Sequence, residues 1–135
     1  MEPEQWNAWV NRLAEQTNLK IDSLEDLKEA IAMRHQAFHD LGCRISDHGL
    51  ESCFADFCDA SDAEKIFQIA RGGQIPSTTN QKQFASYLMF FFGKLDAEKG
   101  WTKQLHIGAL RNTNRRLFKE RGPDIGCDSI GDFPQ

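Results

Sequence analysis

The stretch GWTKQLH, residues 100–106, decides the fold class, because it joins a long amphipathic segment to a short run of strand-forming residues that ends at a histidine. Glycine is a favourable residue just beyond the end of a helix. Residues 42–48, GCRISDH, repeat this organisation after a second amphipathic segment. A helix, a glycine, a strand and a polar strand end in succession are typical of consecutive units of a parallel α/β structure.

The rest of the chain is predicted to be mainly helical, since apolar residues recur at three- and four-residue spacing. Helices are predicted over 3–17, over 24–41 after the N-cap Ser23, over 62–71 after Ser61, over 81–99, and over 112–121 after Asn112. Strands are predicted over 43–46 and 101–107, with Asp47-His48-Gly49 ending the first. Residues 74–80 and the tail after 122 are rich in turn formers and are predicted as loops.

These elements predict an α/β fold, a partial (β/α)8 barrel segment that is mainly helical and has two inner parallel strands. A closed barrel needs eight strands and about 250 residues, whereas this chain has 135. We therefore interpret residues 1–135 as a single segment of a larger barrel without a separate domain boundary, or as half of an obligate assembly. In such barrels the C-terminal ends of the strands carry the chemistry.

Composition argues against several classes of protein. A net charge of −4 and the absence of a Lys/Arg run argue against nucleic acid binding. The longest apolar stretch, residues 87–92, is too short to span a membrane, and the first residues do not resemble a secretory signal. We therefore expect a cytoplasmic protein, in which irregularly spaced cysteines are reduced thiols; these are Cys43, Cys53, Cys58 and Cys127.

His106, Arg111 and Asn112 form the leading cluster of candidate site residues, at and just after the end of the second strand. A histidine can ligate a metal or move a proton near neutral pH. An arginine offers a fork of donors to a carboxylate or phosphate. The alternative is that His106 is a packed core histidine and Arg111 a solvated cation.

Asp47 and His48 form a second cluster, at the end of the first strand. Neighbours on a strand point to opposite faces, so these two residues are not a ready-made dyad. The alternative gives Asp47 a role as turn former and His48 a role in packing. The tail, residues 122–132, spaces three aspartates among glycines and is either a polar active-site loop or a linker.

His35 and His39 lie one turn apart on the second predicted helix, and Cys43 follows four residues later. Two histidines at this spacing can share a zinc ion, although Gly42 ends the helix before a third ligand. A packing or solvated role is favoured, and a small zinc protein is the alternative.

Three motifs together resemble the middle of the uronate (glucuronate) isomerase family. They are RISDHGL at residues 44–50, LHIGALRN at 105–112, and GPD at 122–124 followed by DSI at 128–130 and Asp132. The motifs occur in the family's order and cover nearly the whole chain. Departures are small: Thr113 interrupts a run in which the family often has several asparagines, and Cys127 stands where an aromatic residue is common.

The resemblance implies a (β/α)8 barrel of the amidohydrolase superfamily. It implies interconversion of D-glucuronate with D-fructuronate, and of D-galacturonate with D-tagaturonate, in bacterial hexuronate catabolism with a divalent metal, commonly zinc. Carried over to this sequence, His106, Asp47 and His48 would be catalytic, and Arg111 and Asn112 would bind substrate. The chain lacks the superfamily's His-x-His motif and its final-strand aspartate, so the isolated segment is expected to hold no metal and to be inactive.

The partners implied are a hexuronate in the complete enzyme and the remaining barrel strands. A homo-oligomer is an open alternative. The second hypothesis for function is a free-standing helical interaction protein, derived from such an enzyme, that buries its exposed barrel face against a partner.

Overall fold

The computed structural model describes residues 2–50, 54–123 and 125–131, and the elements below are those of these ranges. The helices are α1 (Pro3–Thr17), α2 (Leu24–Asp40), α3 (Ala60–Arg71), α4 (Thr78–Glu98) and α5 (Arg115–Arg121). The strands are β1 (Ile45–Leu50), β2 (Thr102–Ile107), β3 (Ala109–Leu110) and β4 (Ser129–Ile130). Among the described residues, no helix is both long and apolar enough to cross a lipid bilayer.

The contacts within the chain define two compact units. The described residues of the first unit are 2–44 and 54–102, and they include helices α1 to α4. Its core is built from the apolar faces of these helices, as their spacing predicts, and the largest fully buried side chains are Val10, Leu27, Phe67 and Phe84. The described residues of the second unit are 45–50, 103–123 and 125–131.

The N-termini of α2 to α5 are capped by side chains, but not always by the predicted ones, whereas α1 begins at Pro3 without a side-chain cap. Ser23 accepts a hydrogen bond from the Asp26 N–H and the Asp26 carboxylate reaches back, so the predicted cap is confirmed. The prediction of Ser61 as the cap of α3 is wrong, because Asp59 accepts from the Asp62 N–H and the helix begins at residue 60. The loop predicted over 74–80 is wrong in its last three residues, since Ser77 caps α4.

The helices that precede β1 and β2 end in the same backbone motif. Gly42 follows α2 with a φ of 96°, its N–H donates to the His39 carbonyl, and the Cys43 N–H donates to the Phe38 carbonyl. Gly100 follows α4 in the same way, with a φ of 67°. These paired bonds satisfy the last helical carbonyls and turn the chain into each strand.

Replacing Gly100 by alanine is expected to lower the free energy of unfolding by about 1 kcal/mol, because a side chain disfavours the left-handed conformation. No neighbouring atom lies within 4 Å of the added methyl group, so the backbone alone sets this cost. Gly93 is the matched control, since it lies inside α4 with the same open space. Alanine at position 93 is expected to stabilise the chain. Urea denaturation followed by circular dichroism compares the two, and equal shifts would contradict the prediction.

Strands β1 and β2 are neighbours in one sheet. The Thr102 N–H donates to the Arg44 carbonyl at one end, and the Gly108 N–H donates to the Leu50 carbonyl at the other. Both chains therefore run in the same direction, and the predicted parallel pair is confirmed. The prediction that residues 47–49 break the first strand is wrong, because pairing with β2 extends β1 through residues whose local preference is for a turn.

The C-terminal segment of the second unit also differs from expectation. Residues Ser129–Ile130, predicted as loop, form β4 and pair with β3 in antiparallel register, Ala109 opposite Ile130 and Leu110 opposite Ser129. The prediction of a helix from residue 112 is wrong: α5 begins at Arg115 and is capped by Asn114. Asn112 lies in the left-handed region, with a φ of 56°, and cannot begin a helix there.

The cysteine prediction is confirmed where the structure describes it, since Cys43, Cys58 and Cys127 are free thiols. Burial, followed by the nearby charges of Asp62 and Asp59, raises the pKa of the Cys58 thiol and disfavours its reactive thiolate form. Cys53 lies outside the described residues, as do Asp124 and Asp132 of the predicted aspartate-rich tail.

Candidate active site

The centre of the candidate site is a hydrogen-bonded pair formed by Asp47 on β1 and His106 on β2. The His106 Nδ1 atom lies 2.9 Å from Oδ1 and 3.0 Å from Oδ2 of Asp47. The parallel pairing of the two strands brings these residues together across 59 positions of sequence. Both side chains are about half exposed, so a ligand can reach them.

The partners of His106 favour one tautomer of the neutral ring. An ionised carboxylate accepts hydrogen bonds and cannot donate them, so the Nδ1 atom beside Asp47 carries the proton. The Gln104 amide nitrogen lies 3.2 Å from Nε2 and can donate to it. This arrangement leaves the Nε2 atom of His106 as a hydrogen-bond acceptor and a potential base.

His48 does not join this pair. The side chains of Asp47 and His48 have different partners on β2, as the alternation along a strand predicts. The Lys103 ammonium lies 3.1 Å from Nε2 of His48, and because a lysine can only donate, this Nε2 accepts the bond. The role of His48 in catalysis stays a prediction.

Arg111 and Asn112 follow β3 and both bind Asp128. The Arg111 Nη1 atom donates to Oδ2 of Asp128 at 2.7 Å, and the Asn112 backbone N–H donates to Oδ1 at 3.0 Å. The Asn112 bond, with a smaller contribution from Arg111, lowers the pKa of the Asp128 carboxyl below its ordinary value. Asp128 therefore stays ionised at neutral pH.

Asp128 was not among the candidate residues predicted from the sequence. The sequence places it in a glycine-rich tail with two other aspartates and in the family motif at residues 128–130, and predicts no partner for it. The antiparallel pairing of β3 and β4 brings Asp128 to Arg111, and the sequence did not predict this pairing. Because the carboxylate binds both a predicted ligand-binding arginine and its neighbour, it belongs to the candidate site.

His106 and Arg111 line a common hollow in the second unit. The hollow has a volume of about 290 Å³, and its walls also include Ile107, Gly108, Ala109, Ser129 and Ile130. The residues predicted for proton transfer and for carboxylate binding are therefore brought to one surface. A cleft of about 470 Å³ in the first unit is lined largely by aromatic and charged residues, and no predicted site residue takes part in it.

The histidines of α2 have other partners. The His35 Nε2 atom lies 3.1 Å from the Asp96 carboxylate, and the Trp101 indole N–H donates to Nδ1 of His39 at 3.0 Å. Within the described ranges, no group of three or more histidine, cysteine or acidic side chains is arranged to hold a metal ion. The alternative of a zinc site built from His35, His39 and Cys43 is therefore wrong.

A protein-family model described as glucuronate isomerase matches residues 1–135, the whole chain. The chain belongs to the glucuronate isomerase family. It is 53% identical over 133 residues to the uronate isomerase of Opitutus terrae, and the match covers 98% of this chain and 28% of that relative. The uronate isomerase of Solibacter usitatus is 48% identical, with the same coverage. The chain thus spans 28% of the length of these curated relatives.

Solved structures of glucuronate isomerase family members have the same fold over nearly all of the chain. The uronate isomerase of Thermotoga maritima superposes with a TM-score of 0.87 at 31% identity, covering 96% of this chain and 29% of that one. The glucuronate isomerase of Caulobacter crescentus gives 0.78 at 27% identity, covering 93% and 26%. The predicted family and the predicted fold class, a partial α/β barrel segment, are confirmed.

Proposed function

We propose that the full-length gene product carrying these 135 residues is a uronate isomerase. It interconverts D-glucuronate with D-fructuronate and D-galacturonate with D-tagaturonate, in hexuronate catabolism in the cytoplasm. Relatives 53% and 48% identical to the chain carry the name uronate isomerase. The observation that carries the proposal is the common hollow in which His106, held by Asp47, lies beside Arg111.

Aldose–ketose isomerisation of a uronate removes the proton from C2, returns a proton to C1, and moves the O2 hydroxyl proton to the carbonyl oxygen at C1. A base with a lone pair near neutral pH suits the transfer at carbon. His106 fits this role, because its Nδ1–H is directed to Asp47 and its Nε2 lone pair can accept a proton. The Asp47 carboxylate then stabilises the imidazolium that forms.

Arg111 is proposed to bind the uronate carboxylate, with Asn112 beside it. A guanidinium carries five N–H donors in a planar fork that matches a carboxylate, and the bond to Asp128 uses one of them. The side chain is about half exposed. The negative substrate thus meets a fixed positive charge at one end, while its reacting carbons lie toward His106.

The divalent metal implied by the family resemblance does not fit the described residues as a complete site. His106 directs Nδ1 to Asp47, and no three potential ligands converge within 2–50, 54–123 and 125–131. The steps proposed above therefore use only side chains and substrate. The zinc of the full-length family, the metal-free isolated segment, the contact with further barrel strands and a homo-oligomer all stay predictions.

The test is an assay of ketose formation from D-glucuronate and D-galacturonate. We expect turnover by the full-length gene product and none by the 135-residue chain alone above a His106→Ala control, since the matched relatives are more than three times as long. Turnover by the isolated chain would contradict the expectation that activity requires the remaining barrel strands. A 135-residue chain that is a soluble, cooperatively melting homodimer would instead favour the free-standing interaction protein.

A further inference from the structure

The pairing of β3 with β4 dictates that Arg111 meets Asp128. Leu110 lies opposite Ser129 in the antiparallel register. The next pair outward is therefore Arg111 and Asp128, whose side chains form a 2.7 Å ion pair. The Thr113 N–H and hydroxyl both donate to the Cys127 carbonyl, at 3.1 and 2.6 Å, and tie the two segments together one step further.

Both oxygens of the Asp128 carboxylate are used, each by a different donor. One accepts from the Arg111 side chain and the other from the Asn112 backbone. The backbone bond sets the orientation of the carboxylate, and the carboxylate in turn sets the position of the guanidinium. The Asp128 side chain is 29% exposed and that of Arg111 is 52% exposed. The guanidinium of Arg111 is therefore held by Asp128 and is still accessible to a ligand.

Gly49 on β1 provides the space in which this guanidinium lies. A Cβ atom at position 49 would be 3.0 Å from Nη2 of Arg111. Gly49 does not have a positive φ, so the backbone does not require glycine there. Glycine is otherwise unfavourable inside a strand, and the close approach of Arg111 supplies a reason for it.

We infer that Asp128 and Gly49 are positioning residues, which hold the Arg111 guanidinium in the orientation that receives the carboxylate of a uronate. Asp128 fixes the guanidinium from one side, and the lack of a side chain at Gly49 leaves room for its Nη2 atom. This inference rests on the proposed function and extends it to two residues that do not themselves contact the substrate.

The test is a steady-state comparison in the full-length gene product. Asp128→Asn is expected to raise KM for D-glucuronate about tenfold and to leave kcat little changed, because one charge-assisted hydrogen bond that orders Arg111 is weakened. In an Arg111→Ala background the same substitution should have no further effect on KM. Asp62→Asn is the matched control, since it removes an exposed 2.7 Å carboxylate–ammonium pair with Lys65 on α3.

Gly49→Ala provides a second variant that leaves the Asp128 pair chemically intact, and it is expected to raise KM in the same way. A rise in KM for Asp128→Asn that persists in the Arg111→Ala background would overturn the inference. A KM for Asp128→Asn equal to that of the control Asp62→Asn would also overturn it. If the wild type turns over D-glucuronate and both Asp128→Asn and Gly49→Ala retain the wild-type KM, the positioning role is overturned and the proposed function is not. An inactive wild type would overturn the proposed function and this inference with it.

Discussion

Replacing His106 by asparagine in the full-length gene product is expected to lower kcat for D-glucuronate about a thousandfold, the usual contribution of a general base. Asparagine retains polarity and approximate size but has no basic nitrogen. KM should change much less, because the proposed binding group for the carboxylate is Arg111 and not His106. Ketose formation under saturating substrate measures the effect.

Two further variants make this result specific to the His106–Asp47 pair. Asp47→Asn turns the acceptor of the Nδ1–H into a group that can also donate, so the tautomer is no longer held and kcat should fall as well. The double variant should be no slower than His106→Asn alone. His39→Gln is the control, because it lies in the first unit and retains an acceptor for the Trp101 indole. A His106→Asn enzyme with near wild-type kcat would exclude His106 as the base.

Replacing Arg111 by methionine is expected to raise KM for both D-glucuronate and D-galacturonate about a hundredfold. Two charge-assisted bonds to the carboxylate are lost, and together they contribute about 3 kcal/mol. The two substrates share the carboxylate, so their KM values should rise by the same factor. Arg111→Lys should lie between methionine and the wild type, since it retains the charge and loses the planar fork.

Steady-state kinetics at several substrate concentrations separate these outcomes. A fall in kcat with unchanged KM would show that Arg111 acts on the transition state rather than on the bound carboxylate. A rise in KM for only one substrate would place Arg111 at a hydroxyl group by which the two uronates differ. Either result would contradict the proposed role.

The local parts of the fold could be predicted well from the sequence. The N-cap Ser23 and the stop at Gly42 depend on residues within a few positions of one another, and both predictions are confirmed. Errors arose where several residues could serve the same local purpose. Asp59 and Ser61 are both good caps, as are Asn112 and Asn114, and the choice depends on how the preceding chain is held.

The candidate site could be predicted in its residue types but not in its contacts. His106 and Arg111 were recognisable from their place after a strand and from the family motifs. Their partners were not, because Asp47 lies 59 residues from His106 and Asp128 lies 17 residues from Arg111. Such pairs depend on strand register, and a shift of one residue would turn each side chain to the other face.

The sequence by itself determined which segments are helical, the glycines that end α2 and α4, and the membership of the glucuronate isomerase family, since these depend on local interactions and on ordered motifs. Only the tertiary structure decided that β1 continues through Asp47 to Leu50, and that Arg111 is paired with Asp128 and is not a solvated cation. The physical reason is the same in both cases. Hydrogen bonds to a distant strand outweigh the weak local preference of a few residues for a turn.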